Sequence, residues 1–328
     1  MITKLSYCIT DSTEPYENIA LEEYLLTHVE PGQCILYLWQ NRNTVVIGRN
    51  QNAWGECRVR ELEEAGGFLA RRLSGGGAVY HDMGNLNFTF LVRQEDYDVD
   101  RQLSVIQEAV RAFGLDAQKT GRNDVTVDGR KFSGNAFYKT GPFCYHHGTL
   151  LVNVDTAQMS RYLQVSKAKL ASKGVASVRS RVVNLSELAP EITVQSLTDS
   201  LLKSLAQVYG LPARELSMPE QSVLQPRRDF FASWAWRLGA KIPFAEQIQN
   251  RYPWGDLSLS YTVQNGCLTD VHLFSDGMEA DFLATLPQAL TGCPYDGKAL
   301  ESLSVPTENA LQETILRDCI QLLKSQIE

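Results

Sequence analysis

The chain has 328 residues, 44% of them hydrophobic and 21% charged, a globular composition long enough for two domains at about 150 residues each. Thirty-one Lys and Arg against 38 Asp and Glu leave a net charge of −7, which argues against a general nucleic-acid binder because such a protein needs a basic face. No stretch reaches ~18 uncharged apolar residues, and the first residues lack a basic start followed by an apolar run, so neither membrane spanning nor secretion is expected and the protein reads as cytoplasmic.

In chain order, LSYCI at 5–9 reads as a strand. Glu17 to His28 reads as a helix, with Leu21, Tyr24, Leu25 and His28 on one face. CILYLW at 34–39 and TVVIG at 44–48, joined by the polar Gln40 to Asn43, give a hairpin signal. A short charged helix over Cys57 to Ala65 stops at Gly66-Gly67, and strand-like runs follow to residue 92. Helical periodicity returns over Arg101 to Phe113, with Gly114 as the stop. DVTV and RKFSGNAFY flank Asp128-Gly129, a strong hairpin turn, and YHHGTLLVNV closes this set of strands. Helices are expected at Thr156 to Leu163 and Thr193 to Val208. The basic, Ser-rich SKAKLASKGVASVRSRVVNLSEL between them reads as a long loop. A polar passage runs from Pro212 to about Arg228. From about Ala245 a second, smaller unit is expected: a hairpin turning at Asn265-Gly266, then helices at Ala280 to Leu290 and Glu308 to Lys324.

The seven cysteines, Cys8, Cys34, Cys57, Cys144, Cys267, Cys293 and Cys319, are scattered and form no C-x-x-C pair, so a disulfide or zinc framework is not expected and most of them read as small buried hydrophobes, with Cys144 alone near the site motifs. Three segments have the composition of a site. In Arg72-Leu73-Ser74-Gly75-Gly76-Gly77-Ala78-Val79-Tyr80 the glycines remove every Cβ from a turn, so backbone N–H groups can approach an anion. This is neither a P-loop nor a dinucleotide fingerprint, because no Lys-Ser/Thr ends it and a strand follows it. Lys131 follows a tight turn beside the small Ser133 and Gly134, where an ammonium can face a transferring acyl-phosphate, and Asn123-Asp124 offers side-chain oxygens for a base or a metal. In the third segment, His146 and His147 are adjacent on a strand and point to opposite faces, so they cannot hold one metal together.

RRLSGGGAVYHDMGNLNFTF, GRNDVTVDGRKFSGNAFY and HHGTLLVNVD, in that order, resemble the signature blocks of the lipoate-protein ligase A family within the biotin/lipoate ligases. TVVIGRNQNAW at 44–54, KGVASVRSRVVNLSEL at 173–188 and the Tyr252-Pro253-Trp254-Gly255 tail extend the resemblance. It implies an α+β protein with a mixed, largely antiparallel sheet, divided into a catalytic unit at 1–245 and an α+β accessory unit at 246–328. It implies ATP and Mg2+ as cofactors and lipoate or octanoate as the acid. The acceptors are lipoyl-domain proteins, namely 2-oxoacid dehydrogenase acyltransferase subunits and the glycine-cleavage carrier, served by a monomer.

The resemblance also assigns residues. Lys131 is catalytic and touches the lipoyl carboxylate and the α-phosphate. Arg72, Gly75, Gly76, Gly77, Ala78, Val79, Tyr80, Asn123 and Asp124 bind ATP and the adenylate, with Asp124 a magnesium candidate. His147, Gly148 and Thr149 bind lipoate. The positive charge of an acidic chain then concentrates at Arg71, Arg72, Arg122, Arg130 and Lys131. The alternatives are an acyltransferase using a Cys144 thioester, a biotin ligase, which needs a basic loop where Leu73 to Gly77 stand, and a lipoyl carrier with Lys131 at a hairpin tip.

Overall fold

The computed structural model describes residues 1–121, 123–163, 182–238, 246–264 and 266–326. Its strands are β1 (Lys4–Ile9), β2 (Gln33–Trp39), β3 (Thr44–Ile47), β4 (Phe68–Arg71), β5 (Val79–His81), β6 (Asn85–Arg93), β7 (Ala117–Thr120), β8 (Asp124–Val127), β9 (Arg130–Thr140), β10 (Phe143–Leu151), β11 (Ala213–Glu215), β12 (Glu246–Tyr252), β13 (Gly255–Gln264) and β14 (Cys267–Ser275). They form an eight-stranded sheet in the order β11-β1-β2-β6-β10-β9-β8-β7 and two three-stranded sheets, β4-β3-β5 and β12-β13-β14. In the large sheet β1 runs parallel to β11 and β2, and the remaining pairs are antiparallel. The expected α+β class is what the chain adopts.

The large sheet buries both faces. Leu36, Leu38, Phe88, Phe90, Val92 and Leu150 pack with residues of the helices Val99–Arg111 and Val194–Tyr209. Ile35, Tyr37, Trp39, Leu91 and Tyr145 face the other way, toward the helices Pro15–His28 and Gln221–Ala232. This alternation on a doubly covered sheet explains why β2 is buried at every position and shows no period of two. The accessory sheet and the helices Ala280–Leu290 and Ala310–Lys324 have a core of their own around Leu257, Leu259, Leu283 and Leu323.

Two expectations change. CILYLW and TVVIG do not pair: β2 joins β1 and β6, while β3 crosses to the second sheet between β4 and β5. Both runs are buried throughout, so each needs partners on both edges, and Asn41 between them is buried, accepting from Asn18 Nδ2 at 3.0 Å. The polar passage after Pro212 contains β11 and the helix Gln221–Ala232 despite its internal Pro226. Tertiary packing overrides propensity there: Leu224 and Phe231 are buried, and Arg227 reaches Glu23 from both Nε and Nη2. Residues 164–181 of the expected long loop lie outside the described residues, as do Arg122 and the linker at 239–245; the end of that loop forms a short helix, Leu185–Leu188. Among the described residues no helix is long and apolar enough to cross a membrane.

Candidate active site

A cavity of about 610 Å³ opens on the face of the large sheet that looks toward the β4-β3-β5 sheet. Strand register aligns its floor. Trp39 on β2 lies opposite Asn87 on β6, Asn87 opposite Thr149 on β10, Gly134 on β9 donates its N–H to Thr149 Oγ1 at 3.3 Å, and Gly134 lies opposite Asp124 on β8. All five line the cavity. Four inter-strand steps of about 4.8 Å make this row roughly 19 Å long. Its Trp39 end is apolar, with Ile19 and Val46 nearby on the wall, and its Asp124 end is charged.

At the charged end Lys131 Nζ pairs with Asp124 Oδ1 at 2.7 Å. The ammonium folds back over Gly134, so close that a Cβ at that glycine would stand 2.9 Å from Nζ. The hairpin turn that aims Lys131 is built by Asp128 and Gly129, both in the left-handed region at φ 51° and 71°. Lys131 is therefore not at the tip, as a lipoyl-carrier lysine would be. Asn123 and Asn135 are cross-linked: Asn123 Nδ2 donates to the Asn135 carbonyl at 3.1 Å and Asn135 Nδ2 to the Asn123 carbonyl at 3.2 Å.

The glycine turn forms the roof, with Gly76, Gly77, Ala78 and Val79 on the cavity wall. Arg72 holds its shape. Arg72 Nη2 donates to the carbonyls of Gly75 and Gly77 at 2.7 and 2.8 Å, Nη1 to Val46, and Nε to Ser74 Oγ. Arg71 likewise donates to the carbonyls of Gly48, Arg49, Gln51, Trp236 and Arg237. Burial lowers both guanidinium groups to about 10, which leaves them charged at neutral pH. The two arginines expected to supply anion-binding charge are thus spent on backbone carbonyls. Arg72 still lines the cavity and Arg71 does not.

A hydrogen-bonded chain joins the roof to the apolar end. Ser74 Oγ is 2.8 Å from His147 Nε2, His147 Nδ1 is 2.8 Å from Glu22 Oε1, Thr89 Oγ1 donates to Glu22 Oε1 at 2.7 Å, and Trp39 Nε1 donates to Thr89 Oγ1 at 3.2 Å. His146 points to the opposite face, into the core beside Phe88 and Phe90, with its ring nitrogens at Gln102 and Asn135. Burial lowers His146 to about 3, so it stays neutral.

Of the residues expected at the site, Arg72, Gly76, Gly77, Ala78, Val79, Asn123, Asp124, Lys131, His147, Gly148 and Thr149 meet around this one cavity. Gly75 and Tyr80 do not line it. Gly75 is pressed on the Gly277 carbonyl of the accessory unit, and Tyr80 is buried in the core behind the second sheet with its hydroxyl on Asn43 Oδ1 at 3.2 Å. Cys144 is buried on the sheet face opposite His147, and burial pushes its thiol up, which disfavours a thiolate there. Sequence reasoning missed Glu22, Trp39, His81, Asn87 and Asp276 on the wall. Glu22 had a signal: it stands four residues after Asn18 among the apolar residues of the helix Pro15–His28, where an unpaired acid is rarely buried.

Two family models match the chain: the lipoyl protein ligase A/B catalytic domain over residues 14–206, and the bacterial lipoate protein ligase C-terminus over 241–323. The lipoate-protein ligase A of Blochmanniella pennsylvanica is 38% identical over 308 residues, covering 90% of each chain. The chain belongs to the lipoate-protein ligase A family. P. falciparum LipL1, solved in complex with lipoate, superposes with a TM-score of 0.83 at 27% identity, over 97% of this chain and 99% of its own. A lipoate-protein ligase A bound with ATP superposes with a TM-score of 0.62 at 26% identity, over 73% and 99%. The reaction of this ligase is activation of lipoate to lipoyl-AMP and transfer of the lipoyl group to lipoyl domains, so the thioester alternative at Cys144 falls.

Proposed function

We propose that this cavity holds ATP and lipoate end to end, with Lys131 at the junction. The observation that carries the reading is the ammonium folded over Gly134 and paired with Asp124, at the charged end of the row that runs back to Trp39. A carboxylate oxygen of lipoate attacks the α-phosphorus of ATP and pyrophosphate leaves; a lysine amine of the acceptor then attacks the acyl carbon and AMP leaves. Both steps develop negative charge on oxygen, so a fixed cation and preorganised N–H donors are the groups required, and no protein nucleophile is needed. Lys131 exchanges its Asp124 partner for the carboxylate and α-phosphate. The glycine turn faces the phosphates through Gly77 and Ala78 on the cavity wall, and Asn123 lies beside the nucleotide. The wall from His147 to Trp39 receives the aliphatic chain.

Magnesium keeps one or two protein carboxylates and takes its other ligands from phosphates and water. Asp124 offers one such carboxylate at the charged end, although no cluster of three or more His, Cys, Asp or Glu able to hold an ion occurs among the described residues. The ion would neutralise phosphate charge there. The acceptors in this reading are acyltransferase subunits of 2-oxoacid dehydrogenases and the glycine-cleavage carrier. The protein acts as a cytoplasmic monomer, with its catalytic unit at 1–245 and its accessory unit at 246–328. Lipoate-dependent exchange of pyrophosphate into ATP tests the reading: Lys131→Ala should lower it by about 10²–10³-fold, and Cys144→Ser should leave it intact. The opposite pattern overturns it.

A further inference from the structure

The Trp39 end of the cavity carries two buried polar groups that stand outside the hydrogen-bonded chain from Ser74 to Trp39 and keep an unpartnered donor each among the described residues. Asn87, only 2% exposed, accepts a hydrogen bond from Asn85 Nδ2 at Oδ1 (2.9 Å), and its Nδ2 has no acceptor among the described residues. His81, 3% exposed, faces Asn41 Nδ2 through Nδ1 at 3.2 Å. Asn41 already accepts from Asn18 at Oδ1, so its Nδ2 is the donor and His81 Nδ1 the acceptor. The proton of a neutral His81 ring therefore sits on Nε2, which also has no partner among the described residues. Both residues line the cavity, and both flank Trp39: Asn87 by cross-strand register, His81 by an edge contact with ring centroids 6.2 Å apart. Burial, with Arg72 as a second cause, holds His81 at about 3, so the ring remains a neutral donor at working pH.

Two buried donors without acceptors destabilise an empty or purely hydrocarbon-filled slot, because their desolvation is uncompensated. A ligand that brings an acceptor to this point removes the penalty. The point lies at the right depth. From Gly134, where Lys131 Nζ rests, to Asn87 is two inter-strand steps, roughly 10 Å, about the extended length of an eight-carbon acyl chain built from bonds of ~1.5 Å.

Resting on the ligase reading above, we propose that Asn87 and His81 read the far end of the acyl chain and select a sulfur-bearing ring over a plain alkyl terminus. Octanoate leaves both donors unpaired, whereas the polarisable dithiolane sulfurs of lipoate accept weakly from them. The pair is a specificity device. It does not touch the reacting carboxyl.

The test measures equilibrium binding of lipoate, octanoate and 7-oxooctanoate by calorimetry, with pyrophosphate exchange alongside, for the wild type, Asn87→Leu and Asn87→Thr. Asn87→Leu keeps the forked side-chain shape, with somewhat more bulk, and removes the donor; it should lower the lipoate-to-octanoate affinity ratio by about tenfold, mainly by tightening octanoate. Asn87→Thr retains a hydroxyl donor and should keep most of the ratio, and 7-oxooctanoate should bind the wild type more tightly than octanoate does. Equal loss of all three acids in Asn87→Leu, or an unchanged ratio, overturns the proposal while leaving ligation standing. A wild type that exchanges pyrophosphate with neither lipoate nor octanoate overturns the ligase reading itself.

Discussion

At the scale of single residues, burial keeps two of the histidines, His81 and His146, uncharged. Lys131 stands at the cavity wall with the Asp124 carboxylate 2.7 Å away. His81 and His146 are each held at about 3 by burial, so the native protein excludes protons that the unfolded chain binds once the pH falls below ~6.5. Stability therefore falls as pH drops from 6.5 toward 3, by about 2 kcal/mol per histidine on reaching pH 5. Urea midpoints compared at pH 7 and pH 5 should show this loss. His146→Asn, which removes one of the two groups, should flatten the dependence by about one proton's worth.

At the level of elements, the glycine turn is positioned from three sides. Arg72 gathers its carbonyls, His147 holds Ser74 to Glu22, and the chain at Gly48 packs against its apex. A Cβ at Gly48 would stand 2.2 Å from the Gly76 carbonyl, a backbone atom that no side-chain rotation can move away. Gly48→Ala should therefore displace the turn while sparing the apolar end. Its expected signature in initial-rate kinetics is a KM for ATP raised by about tenfold or more with the KM for lipoate nearly unchanged, because a misplacement of ~1 Å in a positioning element costs that much or more.

At the scale of the whole molecule, the accessory unit sits directly on the glycine turn. Gly277 accepts from Gly76 N–H at 3.4 Å, Ser275 N–H donates to the Asn50 carbonyl at 2.8 Å, Arg49 pairs with Asp281, and Asp276 reaches the cavity wall. Each unit has its own apolar core, and these contacts between them are polar. A Cβ on Gly75 would stand 2.2 Å from the Gly277 carbonyl. Gly75→Ala should thus push the accessory unit away without unfolding either part. Small-angle scattering should report a larger radius of gyration and amide exchange should rise at Gly76 and Ser275, with the thermal unfolding of each core unchanged.

The sequence alone determined what local chemistry dictates. The Asp128-Gly129 turn, the helix stop at Gly114, the opposite facing of His146 and His147, and the glycine run before a strand all depend on backbone preferences or a period of two, and each appears where the residues call for it. The family was legible from the order of three motifs. Tertiary structure alone decided the rest. Whether β2 pairs with β3 or leaves it for another sheet depends on partners far along the chain, and a run buried on both faces carries no alternation to choose between them. Glu22, Trp39, His81 and Asn87 come from four separate elements and meet only because cross-strand register and the packing of helix and second sheet bring them together. The sequence shows the type and charge of the glycine-motif arginines, whereas the carbonyls that claim them come together only once the chain has folded around them.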